Sequence, residues 1–145
     1  MELNFASKVK IAEKWEGNFK IRGINYPAFK SAIERAQHQV KDRGFDIASA
    51  TVDEKTLDEL HRECIATHLI ADWRDISFNI DGEKKEVAYT PNMAYYMLTE
   101  SLEADELVVW ITSKAKKIQE EADKMESLIL GKSKNYTTTT INSEE

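Results

Sequence analysis

Glycine and proline are scarce in this chain, with five of one and two of the other in 145 residues. No glycines gather into a loop that could cradle a phosphate. Cysteine occurs once, at Cys64, so no disulfide framework can staple the fold, and this usage fits a reducing compartment. Long apolar runs are missing too. The longest, Leu107 to Ile111, is far short of the ~20 residues that cross a bilayer. Met1 to Phe5 does not read as a signal peptide, because no basic stretch leads into an apolar one. Positive charge is in deficit, with 20 Lys and Arg against 26 Asp and Glu, for a net charge of −6. The lysines alternate with acids, as in Glu83-Lys84-Lys85-Glu86, and build no basic stripe. Nucleic-acid binding draws most of its energy from Lys and Arg on phosphates. The expectation is therefore a soluble cytoplasmic chain with neither nucleic acid nor membrane as a partner.

What is present suits one domain with thin helices and much wet surface, at 41% hydrophobic and 32% charged. Val9 and Ile11 alternate with lysines up to Trp15, and Phe19 and Ile21 alternate beyond Gly17-Asn18, which predicts a β-hairpin. A short helix over the first dozen residues is the competing reading. Pro27 suits a first helical turn. Phe29, Ile33, Ala36 and Val40 follow at helical spacing, with Gly44 as the C-cap. Asp53 is the expected N-cap of a second helix, lined by Leu57, Leu60, Cys64, Ile65, His68 and Leu69, with Trp73 continuing that face. Ile76, Phe78 and Ile80 alternate into Asp81-Gly82, a strong hairpin turn, with Val87 and Tyr89 on the far side. Thr90-Pro91 caps and opens a third helix with Met93, Tyr96 and Met97 as inward candidates. After a break at Glu103-Ala104-Asp105, Val108, Ile111, Ala115, Ile118, Ala122, Met125 and Ile129 repeat at steps of three and four as a heptad stripe. The predicted fold is α+β: a mainly helical single domain over residues 1–134, with one or two small antiparallel hairpins and a long C-terminal helix. The threonine-rich tail, 135–145, has no apolar period and reads as disordered.

Few residues suggest chemistry. His61, Cys64 and His68 fall at i, i+3 and i+7 of one predicted helix, as a metal site could begin, but no second Cys/His cluster completes a tetrahedron. Semi-buried core residues are the simpler reading of all three. Cys64 beside a histidine also suggests a thiol nucleophile, yet no third group or oxyanion-hole loop accompanies it. Asp72, Asp75 and Asp81 flank a strand and a turn, where Asp serves local hydrogen bonding. The expectation is no enzyme, no catalytic residue, no cofactor and no metal. The terminal stripe is the more telling feature. It can pack wholly on the chain's own core, or its later part can serve as a partner or self-association seam. In the second reading the first third packs inward and the contact residues are Trp110, Ile111, Ile118, Met125 and Ile129, with Trp110 beside the seam as an aromatic anchor.

Three segments in order carry a family resemblance. Ile24-Asn25-Tyr26-Pro27-Ala28-Phe29 is similar to a strand-to-helix junction of phage tail assembly chaperones. Ala71 to Ile76, then Asn79-Ile80-Asp81-Gly82-Glu83 and Tyr89-Thr90-Pro91, resemble that family's tryptophan-ended helix, acidic hairpin and entry into the next helix. Leu130 to Asn135 resembles its closing Lys-Asn signature, though the threonine tail departs from the usual ending. The resemblance implies a non-enzymatic assembly factor of a long-tailed phage or prophage, acting in the host cytoplasm and absent from the mature virion. It implies binding to the tape measure protein and recruitment of tail tube subunits. The alternative from another class is a small DNA-binding or regulatory adaptor built on the second and third helices, which needs a basic recognition helix. The helix after Asp53 carries more acids than bases.

The incomplete His61, Cys64, His68 set yields one prediction. Elemental analysis of the untagged protein should find no stoichiometric zinc, and a chelator should leave its melting temperature unchanged. Zinc lost together with the fold would contradict it.

Overall fold

The computed structural model describes residues 1–4, 11–43 and 54–135. Gly44 and Asp53 and the tail beyond Asn135 lie outside them. Strands β1 (Glu13–Glu16) and β2 (Phe19–Arg22) lead into helix α1 (Pro27–Arg43). Helix α2 (Leu57–Cys64) runs through a π turn (Ile65–Leu69) into β3 (Ile70–Trp73). Strands β4 (Ser77–Ile80) and β5 (Glu83–Glu86), then helices α3 (Pro91–Glu100) and α4 (Ala104–Asn135), complete the order. The architecture is α+β, with a three-stranded antiparallel sheet ordered β1-β2-β3 and a separate two-stranded sheet β4-β5.

Both predicted hairpins form where glycine supplies a positive φ. Gly17 at φ 61° turns β1 into β2, pairing Glu16 with Phe19. Asp81 and Gly82, at φ 52° and 82°, make the doubly left-handed turn that suits the twist of β4 and β5. Strand β1 begins at Glu13, after Ile11, and Val9 lies outside the described residues. Arg74 clamps the first turn. Its N–H donates to the Asn18 carbonyl at 2.9 Å, the Asn18 amide returns a bond to the Arg74 carbonyl at 3.0 Å, and its guanidinium lies 4.2 Å from the centre of the Trp15 ring.

The second helix departs from the sequence expectation at both ends. It starts at Leu57 with Thr56 as N-cap: the Thr56 hydroxyl accepts from Glu59 N–H, and the Glu59 carboxylate accepts from Thr56 N–H. This reciprocal box satisfies two orphan donors, which Asp53 is too far upstream to do. At the other end Trp73 does not continue the helix. The π turn, closed by Ile70 N–H donating to the Ile65 carbonyl, ends the helix, and Ile70–Trp73 pairs with β2. Contacts with the segment after β5 hold this change, one through the Tyr89 side chain and one through the Val87 carbonyl. The Tyr89 hydroxyl lies 2.7 Å from the Ala66 carbonyl and 2.8 Å from that of Ile70, its one O–H shared between them. Trp73 Nε1 donates to the Val87 carbonyl at 2.7 Å. His68 sits in the same turn. Its carbonyl accepts from Arg22, and its imidazole pKa is lowered by burial and by the neighbouring Arg22 and Arg35 cations.

The core gathers between the three-stranded sheet and the helices. Ile21, Leu69, Ile70, Leu98 and Ile111 are fully buried at its centre. Thr90 caps α3 as its Thr-Pro entry predicts. Of its three inward candidates only Met97 is buried, whereas Met93 and Tyr96 face outward and Ala94 and Leu98 point in. The correction follows from which neighbours exist: α2, the π turn and α4 pack on α3, and among the described residues Met93 and Tyr96 face the thin β4-β5 hairpin. Arg62 joins the helix ends, donating to the Leu98 carbonyl at 2.7 Å, to Asp105 at 2.7 Å and to Asp58 at 3.0 Å.

Two predictions follow from the π turn. Tyr89→Phe keeps the ring and strips both carbonyls of their donor, which should destabilise by about 1–3 kcal/mol in urea unfolding. An unchanged midpoint would show the hydroxyl to be idle. The second concerns pH. The fold holds His68 neutral, so the unfolded chain binds more protons once the pH falls below about 6.5. Stability should decline from there through the lowered native pKa, and His68→Gln should flatten the decline. Identical slopes for both proteins would contradict it.

Candidate functional site

Helix α4 changes character along its length. Ile111, Ala115 and Ile118 are buried against the sheet, and Val108 is half-buried. The loop after β2 docks on this part of the helix. Ile24 N–H donates to the Ala115 carbonyl at 3.1 Å, and Asn25 N–H to Gln119 Oε1 at 3.1 Å. Gly23 permits the approach, since a Cβ there would stand 2.4 Å from Gln119 Oε1. Lys14 on β1 reaches Glu121 at 3.9 Å. Beyond that point the body runs out and the helix continues. Met125, Leu128 and Ile129 are 61%, 57% and 62% exposed, at the i, i+3, i+4 spacing of one helical face. Leu130 beside them is half exposed.

The five residues expected to contact a partner therefore divide. Ile111 and Ile118 are core side chains of this chain, at 0% and 4% exposure. Met125 and Ile129 stand in solvent. Trp110 is exposed at 36%, although its indole meets the Phe19 ring at 5.9 Å between centroids. The inward part of the stripe thus reaches Ile118, well past the first third of the helix.

A second apolar surface escaped the sequence reading. Phe78, Ile80 and Val87 from the β4-β5 hairpin face Met93 and Tyr96 across a shallow groove rimmed by Glu83, Lys85 and Glu86. The signal for it was the breadth of the apolar arc on α3, which carries Met93 and Tyr96 as well as Ala94, Met97 and Leu98. Only one side of that arc fits the core. A line of edge-on and tilted rings links the groove to the interior: Tyr96 to Phe78 at 6.1 Å, Phe78 to Trp73 at 6.1 Å, Trp73 to Phe19 at 6.2 Å. Offset and edge contacts of this kind add about 0.5–1.5 kcal/mol per pair beyond burial.

The residues with catalytic or ligand chemistry are used locally. Cys64 is buried, and desolvation pushes its thiol pKa up, away from the thiolate a nucleophile needs. The π turn breaks the helical register between Cys64 and His68. Among the described residues no three His, Cys, Asp or Glu side chains gather as a metal site. Asp72 accepts from Trp73 N–H at 2.8 Å, and Asp75 and Asp81 occupy left-handed turn positions. No described helix is long and apolar enough to cross a membrane.

Comparison with known proteins gives one match. The family model of the YdaY prophage protein covers residues 24–132, well over half of the chain. The matched stretch contains α1 to α3, the π turn, β3 to β5 and α4 as far as Lys132, and leaves out the β1-β2 hairpin. No curated protein and no solved structure matches. The phage origin implied by the sequence resemblance is thus shown at the level of a prophage family, without the tail-assembly role. The chain belongs to the YdaY prophage protein family.

Proposed function

We propose that this chain is a non-enzymatic tail assembly chaperone of a phage or prophage. In this reading it binds a helical segment of the tape measure protein, recruits tail tube subunits in the host cytoplasm, and stays out of the finished virion. The observation that carries the reading is the distal face of α4, where Met125, Leu128 and Ile129 lie exposed beyond the packed body. Exposed apolar residues at i, i+3 and i+4 are the anchors with which an amphipathic helix engages an apolar partner. Membership of a prophage family and the order of the tryptophan, Asp-Gly hairpin and Thr-Pro segments support the choice of partner. Ile111 and Ile118 take no direct part, because both are spent on the core.

The test is co-expression with the tape measure protein encoded nearby, followed by pull-down and titration. Met125→Asp with Ile129→Asp should weaken binding by about 100-fold or more, since each anchor contributes about 1.5–3 kcal/mol when buried. The melting temperature should stay within a degree or so of wild type, because both sites are exposed. Undiminished binding with normal melting would remove the distal helix from the interface.

A further inference from the structure

Helix α4 outruns the body that anchors it. Ile118 is the last buried residue of its stripe among the described residues, and Gln119 holds the loop after β2. From Asp123 to Leu130 every residue is exposed, and the backbone stays helical to Asn135. At 1.5 Å per residue the stretch past Gln119 is about 24 Å long. The stripe does not stop with the body. Ala122, Met125 and Ile129 carry on the steps of three and four set by Ile111, Ala115 and Ile118, and Leu128 widens the face. A repeat of 3.5 residues keeps one face of a helix against another helix over several turns. No described residue covers that face past Ala122.

Charge is sorted along the same stretch. Residues 120–127 hold Glu120, Glu121, Asp123 and Glu126 against Lys124 alone, and residues 128–135 hold Lys132 and Lys134 with no acid. Glu121 lies 3.9 Å from Lys14, and Asp123 accepts from the Gln119 amide at 2.9 Å, yet both acids remain exposed. Two copies laid side by side in the same direction would set acidic half on acidic half and basic half on basic half. Laid antiparallel, they set acidic half on basic half at both ends. Charges flanking an apolar seam choose its orientation in this way. A stretch complementary to itself under a two-fold rotation is what an isologous dimer requires.

We infer that the distal part of α4 pairs antiparallel with the same part of a second copy of this chain. The two-fold axis passes beside Ser127, and Met125 of each copy layers on Ile129 of the other. Leu128 closes the edge of the seam, and the small Ala122 lets the two backbones approach. Each copy contributes about four helical turns, which falls short of the ~1,200 Å2 that a standard stable interface buries. The dimer is therefore weak, with a Kd on the order of 0.1 mM. This pairing is separate from the tail-assembly reading, although both use the same helix face. A weak dimer shields the face in the free protein and yields it to a tighter-binding helix.

The purified chain alone tests this, with no phage partner present, so its failure is distinct from failure of the proposed function. Sedimentation equilibrium at low salt, from about 5 μM to about 1 mM, should show the mass rising from the monomer towards twice that value. Ile129→Asp should stay monomeric throughout, with melting at the dilute end unchanged. Lys132→Glu with Lys134→Glu should weaken association about tenfold or more, and Glu120→Lys with Glu126→Lys should do the same. Mixing these two double variants should restore association, because each acidic half again meets a basic one. A wild-type protein that is monomeric over the whole series would overturn the inference. So would a dimer that ignores the lysine reversals, since a parallel seam keeps like charges together before and after them. Earlier melting of dilute Ile129→Asp would overturn it as well, by placing the face against its own chain.

Discussion

A single phenolic hydroxyl settles where helix becomes strand. The π turn after α2 leaves the Ala66 carbonyl and the Ile70 carbonyl beside each other in the interior, and Tyr89 spans both. Without that donor the shared bond to these two buried carbonyls would be lost, at the cost of about one hydrogen bond. Burial raises the Tyr89 pKa, so the hydroxyl keeps its proton and remains a donor. With this end fixed, β3 leaves the helix at the angle that lays Ile70 and Trp73 against β2. Everything downstream inherits that placement. Trp73 bonds to the Val87 carbonyl, which ties the β4-β5 hairpin to the sheet, and the hairpin in turn forms one wall of the groove on α3.

Arginine reinforces the joins between elements that meet in the core. The Arg62 guanidinium links α2 to the end of α3 and the start of α4, groups 36 and 43 residues further along the chain. Its bonds are not equal in worth. Asp105 and Asp58 are 90% and 70% exposed at the side chain, so these ion pairs are screened and contribute little. The Leu98 carbonyl is a different case. It stands near a helix end, where the last carbonyls lack helical donors, and a charged donor is the strong way to satisfy one. Arg74 does comparable work at the β1-β2 turn with one backbone pair and the Trp15 ring.

The hairpins, the α3 entry and the buried start of α4 were legible because each rests on local chemistry: a glycine at positive φ, a threonine ahead of proline, an apolar repeat. The α+β class followed from them. Strand β3 was not legible. Leu69, Ile70 and Trp73 extend an apolar helical period almost unbroken, and partners distant in sequence, β2, Val87 and Tyr89, decide against it. The α2 start was misplaced because Asp53 and Thr56 are both good caps, and the choice turns on Glu59 lying three residues after Thr56. Met93 and Tyr96 read as core from their type alone, since sequence shows an apolar arc and not which side of it finds a neighbour. The same limit applies to α4. The heptad stripe was plain, yet the residue at which it passes from core to surface depends on where β1 and the loop after β2 end.

That boundary is what gives the last helix its meaning. Up to Ile118 each apolar residue in the stripe removes surface from water at a gain of about 25 cal/mol per Å2. Past it Met125, Leu128 and Ile129 stay largely in solvent, with no described residue covering them. An isolated helical extension also lacks the tertiary support that gives most protein helices their stability. The helix is continuous through this change, so the packed half serves as a rigid mount for the exposed half. A partner that meets the exposed half meets anchors already fixed in register, and the conformational entropy of ordering them is largely met by folding itself. The distal face is thus an apolar surface that no described residue covers, held in a fixed register by the packed half of the same helix.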